Sequence, residues 1–224
     1  MTLIFLGNAG VYLSGGSDGI LVDAPNGRYT VFDPVADVLM EPIAAGHPPY
    51  DTLRGLCFTH QHSDHYNRKR VRELLERRPD LAVFVPNGAT PETGEVAMGN
   101  AVVRYFTAPH SGAELRGTIH RVLLATVGGK TVYLSGDADW MDPIHKRILG
   151  TYRPDAAVWN GNYVSHEEGR RLLALCPKNF ICHLPVLVED KFGIGKKCQT
   201  SLERYAEELK TVTPVWTYPT EAEI

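Results

Sequence analysis

Four side chains able to hold a metal ion lie within six positions of one another in Thr59-His60-Gln61-His62-Ser63-Asp64-His65. Folding requires no such density. Imidazole together with carboxylate suits zinc, and also iron or manganese, whereas calcium and magnesium prefer oxygen ligands throughout. The apolar run Leu56-Cys57-Phe58 just before the cluster reads as the end of a strand. Alternate side chains of extended backbone share a face, so His60 and His62 can grip one ion. Asp64 and His65 come after the turn and face differently, which places them for a second ion.

The string resembles the HxHxDH signature of the metallo-β-lactamase superfamily, and four other segments resemble that family's remaining motifs in the same order. Gly19-Ile20-Leu21-Val22-Asp23 is similar to the strand whose aspartate supports the metal loop, a role for which Asp33 is the competitor. Ala108-Pro109-His110-Ser111-Gly112, Val132-Tyr133-Leu134-Ser135-Gly136-Asp137 and Phe180-Ile181-Cys182-His183-Leu184 resemble the later motifs. The resemblance implies an α+β fold, a four-layered αββα sandwich, in one domain spanning residues 1–224. It also implies two divalent metal ions, with zinc the first candidate and manganese or iron the alternatives. His60, His62 and His110 would hold one ion, Asp64, His65 and His183 the other, and Asp137 would bridge them.

A water shared by two cations has its pKa lowered toward neutrality and becomes a hydroxide nucleophile without a protein base. The expected function is therefore hydrolysis of a small, anionic, ester-type substrate, a phosphodiester or a lactone. A nuclease processing RNA or DNA and a di-iron redox protein are the alternatives. Phe5-Leu6-Gly7-Asn8-Ala9-Gly10 resembles the start of the branch containing sugar-phosphate lactonases. Lactone-cleaving relatives often carry a tyrosine shortly after the bridging aspartate, where this chain has Asp137-Ala138-Asp139-Trp140. Asp64 and Asp137 thus belong to the expected catalytic centre. Tyr163, ahead of His166 and Asp139, is the candidate for protonating the leaving group.

These residues need elements to position them. Apolar, β-branched stretches at residues 3–6, 19–23, 29–32, 56–59, 82–85, 102–107, 121–126 and 131–135 read as strands, the last two joined as a hairpin through Val127-Gly128-Gly129-Lys130. Residues 67–78 read as a one-faced surface helix stopped by Pro79. Ser165 with Glu168, and Thr200 with Glu203, have capping-box spacing ahead of helices at 169–176 and 202–209. The proline-rich stretch 41–51 reads as an irregular surface connection, and the sequence shows no internal repeat.

Composition limits the partners. A net charge of -3 gives no reason for general attraction to nucleic acid. The basic run Arg68-Lys69-Arg70, with Arg72, Arg77 and Arg78, alternates with Glu73 and Glu76 and reads as a solvated helix face. No long apolar run indicates a membrane span, and the first residues lack the pattern of a secretory signal. Cys57, Cys176, Cys182 and Cys198 form no CxxC pair and read as reduced thiols of a cytoplasmic protein, with Cys198 idle rather than a reactive thiolate. His47, His120, His145 and His166 lack motif context and are assigned to surface or core packing. Phe192-Gly193-Ile194-Gly195-Lys196-Lys197 reads as a flexible loop, with wrapping of a substrate phosphate as its functional alternative. An exposed β edge or residues 41–51 would serve a homo-oligomer, should one form.

Overall fold

Alternation along the strands sorts the apolar side chains of this protein into three layers. The computed structural model describes residues 1–185 and 190–224. Its strands are β1 (Thr2–Gly7), β2 (Gly10–Gly15), β3 (Asp18–Val22), β4 (Leu53–Cys57), β5 (Ala82–Phe84), β6 (Thr93–Met98), β7 (Ala101–Thr107), β8 (Arg121–Val127), β9 (Lys130–Leu134), β10 (Ala156–Asn160), β11 (Asn179–Cys182), β12 (Val212–Pro214) and β13 (Thr220–Glu223). The helices are α1 (Asp37–Ala45), α2 (Arg68–Arg77), α3 (Ile144–Tyr152), α4 (Asn162–Ser165), α5 (Glu167–Leu173) and α6 (Ile194–Arg204).

One sheet runs β13-β1-β2-β3-β4-β5 and the other β12-β11-β10-β9-β8-β7-β6. In β1, Leu3 and Phe5 face the space between the sheets, where they meet Leu123, Ala125 and Val127 of β8. Ile4 and Leu6, with the opposite parity, pack outward with Ile43 of α1 and Val71 and Leu74 of α2. On the far side Val122 and Leu124 of β8 pack with Ile148 and Leu149 of α3 and Leu172 of α5. Helices therefore cover both outer faces, giving the αββα sandwich. Each strand must be apolar on both faces to do this, which is why few of them show clean polar alternation.

The strand order also contains a repeat that the sequence does not display. In each sheet three antiparallel strands, β1-β2-β3 or β7-β8-β9, are followed by two parallel ones, β4-β5 or β10-β11. The turns that follow β4, β9 and β11 meet at one edge of the sandwich.

Several local expectations are corrected. Residues 29–32 form a tight turn in which Tyr29 and Phe32 exchange backbone hydrogen bonds of 3.2 and 2.9 Å. The stretch expected to be irregular contains most of α1, which tolerates Pro42 because Ile43 and Ala44 are buried against the sheet, and it ends at Gly46 with φ 65°. The Ser165 box does not form: His166 is the N-cap of α5, and Ser165 Oγ donates to Gly161 O. Thr200 lies inside α6 and donates to Lys196 O at 2.9 Å, so this helix starts well before the expected position. Its first turn is capped by Asp190, whose carboxylate accepts from Ile194 N at 2.8 Å and Lys196 N at 2.9 Å. Two of the amides suggested for a phosphate are thereby already occupied. Among the described residues no helix is long and apolar enough to cross a membrane.

Candidate metal centre

The first ligand loop is anchored by Asp23, which follows β3 with φ 50°. Its carboxylate accepts from Thr59 N at 2.7 Å, Thr59 Oγ1 at 2.8 Å and His65 Nδ1 at 2.9 Å. Each such charge-assisted bond in a buried setting contributes about 1.5–3 kcal/mol. Together they fix where β4 turns out of the sheet. Asp33, the competitor, lies on the surface opposite Arg28 at 3.6 Å.

The hydrogen bonds also set the histidine tautomers. His65 donates through Nδ1 to Asp23, and His110 through Nδ1 to Ser111 O at 2.6 Å. Thr59 Oγ1 spends its proton on Asp23, so it accepts from His60 Nδ1 at 3.0 Å. In the neutral form of all three rings Nε2 carries the lone pair. Among the described residues the buried Nε2 atoms of His65 and His110 have no hydrogen-bond partner. Buried orphan acceptors converging on one space are what a cation site requires and what a packed core avoids. The donor set therefore fits a metal of the imidazole and carboxylate type.

Asp137 closes the centre from the other sheet. Its Oδ2 lies 3.3 Å from His65 Nε2, 3.6 Å from His110 Nε2, 3.7 Å from His183 Nε2 and 4.0 Å from His60 Nε2. The loop carrying His110 is stitched to the loop carrying Asp137: Ser111 N donates to Asp137 O and Asp139 N to Pro109 O, each at 2.8 Å. His183 follows β11 with φ 57°, its N–H donates to Asn8 O at 3.0 Å, and Phe32 packs on its ring at 4.1 Å. Potential ligand atoms fall into three groups, each within 4.8 Å: His60-His62-His110, His60-His65-Asp137 and Asp64-His65-His183. The middle group shares a member with each of the others. All seven sequence-derived ligand candidates are gathered here.

The electrostatics are those of a site built for positive charge. Burial would raise the Asp137 carboxyl, but the facing imidazoles of His183 and His65 hold it well below the usual range. Burial would lower His65, yet Asp137 and Asp23 hold it well above the ordinary histidine value. His183 is likewise raised, by Asp137 and its contact with Asp64 at 3.1 Å, against burial. His60 is pushed well down, by burial and by the neighbouring His65.

The candidate acid is placed differently. Tyr163 is fully buried, and its hydroxyl donates to Ala138 O at 3.1 Å next to His145 Nε2 at 3.2 Å. It braces the loop after Asp137 from behind and has no free face toward a substrate. His145, assigned to packing, joins this network by donating through Nε2 to Asp139 O at 2.9 Å and accepting from Tyr133 at 2.6 Å. His166 is exposed and stacks on Trp140 at 4.0 Å, and Asp139 caps the following turn by accepting from Met141 N at 3.0 Å. Cys198 is buried, which pushes its thiol up to about 12 and leaves it no thiolate character.

Two neighbours of Asp137 escaped the sequence reading. His120 Nε2 accepts the Asp137 N–H at 3.0 Å, and Asn160 Nδ2 donates to Asp137 Oδ1 at 3.3 Å and Gly136 O at 3.0 Å. Neither belongs to a motif, so only the fold reveals them.

No family model matches the sequence, and no curated protein matches it. Solved structures do match the fold. A possible metal-dependent hydrolase from Veillonella parvula superposes with a TM-score of 0.70 at 14% identity, over 100% of this chain and 99% of that one. The metallo-β-lactamase fold protein YhfI from Bacillus subtilis gives 0.62 at 13% identity, covering 99% and 98%. Zn(2+)-bound PqqB from Methylobacterium extorquens gives 0.57 at 14% identity, covering 100% of both. The chain has the metallo-β-lactamase fold.

Proposed function

We propose that this protein is a binuclear metal-dependent hydrolase acting on a small ester-type molecule, a phosphodiester or a lactone. The observation that carries the proposal is the convergence on Asp137 Oδ2 of imidazole nitrogens that have no hydrogen-bond partner among the described residues. His60, His62 and His110 are assigned to one ion and Asp64, His65 and His183 to the other, with Asp137 between them. Zinc is the first candidate, and iron and manganese suit the same donors. Such cations would supply Lewis acidity, lowering the pKa of bound water toward neutrality and stabilising negative charge that develops on the substrate.

The chain's own part is to hold these donors in place. Asp23 and Thr59 keep His60 and His65 in the tautomer that presents Nε2, and Ser111 does so for His110. Asp64 Oδ2 and His183 Nε2 stay within 3.1 Å, which makes them a ready pair for one ion. With Asp190 filling the start of α6, the preference for an anionic substrate rests on the cations themselves. The test is turnover by metal-loaded protein on bis(para-nitrophenyl) phosphate and a panel of small lactones. The expected result is hydrolysis that a chelator abolishes and added metal restores. Fully loaded protein that turns over none of these esters would overturn the reading.

A further inference from the structure

The Asp137 loop is held more tightly than a bridging ligand alone would need, and the two groups responsible lie outside every ligand set. His120 is 1% exposed, and its ring centroid is 5.0 Å from that of His60 and 5.7 Å from that of His110. Because its Nε2 accepts the Asp137 N–H, the proton of the neutral ring sits on Nδ1, which is buried and has no hydrogen-bond partner among the described residues. A core histidine placed only for packing would have its N–H satisfied, since a buried donor without a partner loses its hydration for nothing in return. The cost is borne for one bond, to the main chain of the residue that faces four imidazoles.

The approach is close. Gly136 has φ 51°, and a Cβ there would lie 2.7 Å from His120 Nε2 and 2.8 Å from Thr59. Glycine lets the loop pass between the two, and His120 then receives the next N–H.

Asn160 acts on the other end of the same residue. It ends β10, is 4% exposed, and is itself fixed because its Oδ1 accepts from Asn162 N at 3.0 Å. Its Nδ2 takes Asp137 Oδ1, so Oδ2 is the oxygen that meets the histidines. One carboxylate oxygen is thus held by an amide and the other left free for cations.

We propose that His120 and Asn160 are paired positioning residues for Asp137, His120 fixing its main chain and Asn160 choosing which carboxylate oxygen serves the metals. This rests on the two-metal reading above. Partners of metal ligands typically alter affinity by roughly ten- to hundredfold when removed.

The experiment is titration of metal-free protein with Co(II), read by visible absorption and by equilibrium dialysis, in wild type, His120→Leu, His120→Gln and Asn160→Ala. Wild type should bind two equivalents. His120→Leu should weaken one of them by roughly ten- to hundredfold and change the cobalt spectrum. His120→Gln, whose Oε1 can accept the same N–H, should recover most of both. Asn160→Ala should alter the spectrum in the same sense, and it decides the question if His120→Leu does not fold. A merely structural role predicts lowered melting temperatures with unchanged cobalt affinities and spectra, and that result overturns the inference. Wild type that binds no second cobalt would instead overturn the two-metal reading and this inference with it.

Discussion

Each half of the molecule turns out of its third antiparallel strand through an aspartate, and the two aspartates serve opposite purposes. Asp23 follows β3 and Asp137 follows β9, each at a point where the backbone enters the left-handed region, φ 50° at Asp23 and 51° at Gly136. Among the described residues the Asp23 carboxylate accepts only from donors: a backbone N–H, a hydroxyl and an imidazole N–H. Asp137 has an amide on Oδ1, and its Oδ2 faces imidazole nitrogens, two of which have no hydrogen-bond partner among the described residues. A buried carboxylate saturated by donors is a support. One that is left facing lone pairs is incomplete without cations. The residues around an aspartate, more than its place in the fold, decide which it becomes.

The comparison breaks most readily at Asp137. Asp137→Ala should reduce hydrolysis by about 10³-fold or more, the upper range for loss of one electrostatic group at a reacting centre, and should lower metal content. Steady-state kinetics and metal analysis of the same preparation check this. Asp23→Ala should act earlier, on the scaffold. Orphaning the buried Thr59 N–H should cost about 1–3 kcal/mol in denaturant melts of metal-free protein, and metal affinity should fall roughly ten- to hundredfold as His65 loses its partner.

Acid should sharpen the same contrast. His65 and His183 are held above the usual histidine value in the metal-free protein, so metal has to compete with protons for both rings as the pH falls. Affinity should therefore rise with pH and fall as pH drops, by up to about two decades per unit if both protons are released. Cobalt titrations between about pH 6 and 8 measure that slope. The smallest effect belongs to Tyr163→Phe. It should leave hydrolysis within about twofold, because the hydroxyl braces Ala138 O, while costing about 1 kcal/mol of stability by equilibrium melting.

Much of this was readable from the chain itself. The HxHxDH cluster and the Gly-Asp strand end are local in sequence, and their order carried the fold and the ligand candidates. Contacts between distant segments were not readable. His120 and Asp137 are neighbours only because β8 and β9 pair and the loops around them fold over one another. Tyr163 was the candidate acid, but the short helix α4 buries its ring. Local patterns misled at Thr200, where capping-box spacing sits inside a helix that Asp190 had already started. Pro42 suggested a break that the burial of Ile43 and Ala44 overrides.

The most direct measurement is the number of transition-metal ions bound per chain, by elemental analysis of wild type and Asp137→Ala after reloading and desalting. Two ions are expected in the wild type and fewer in the variant. No bound transition metal in the reloaded wild type, or full retention of both ions without Asp137, would contradict it.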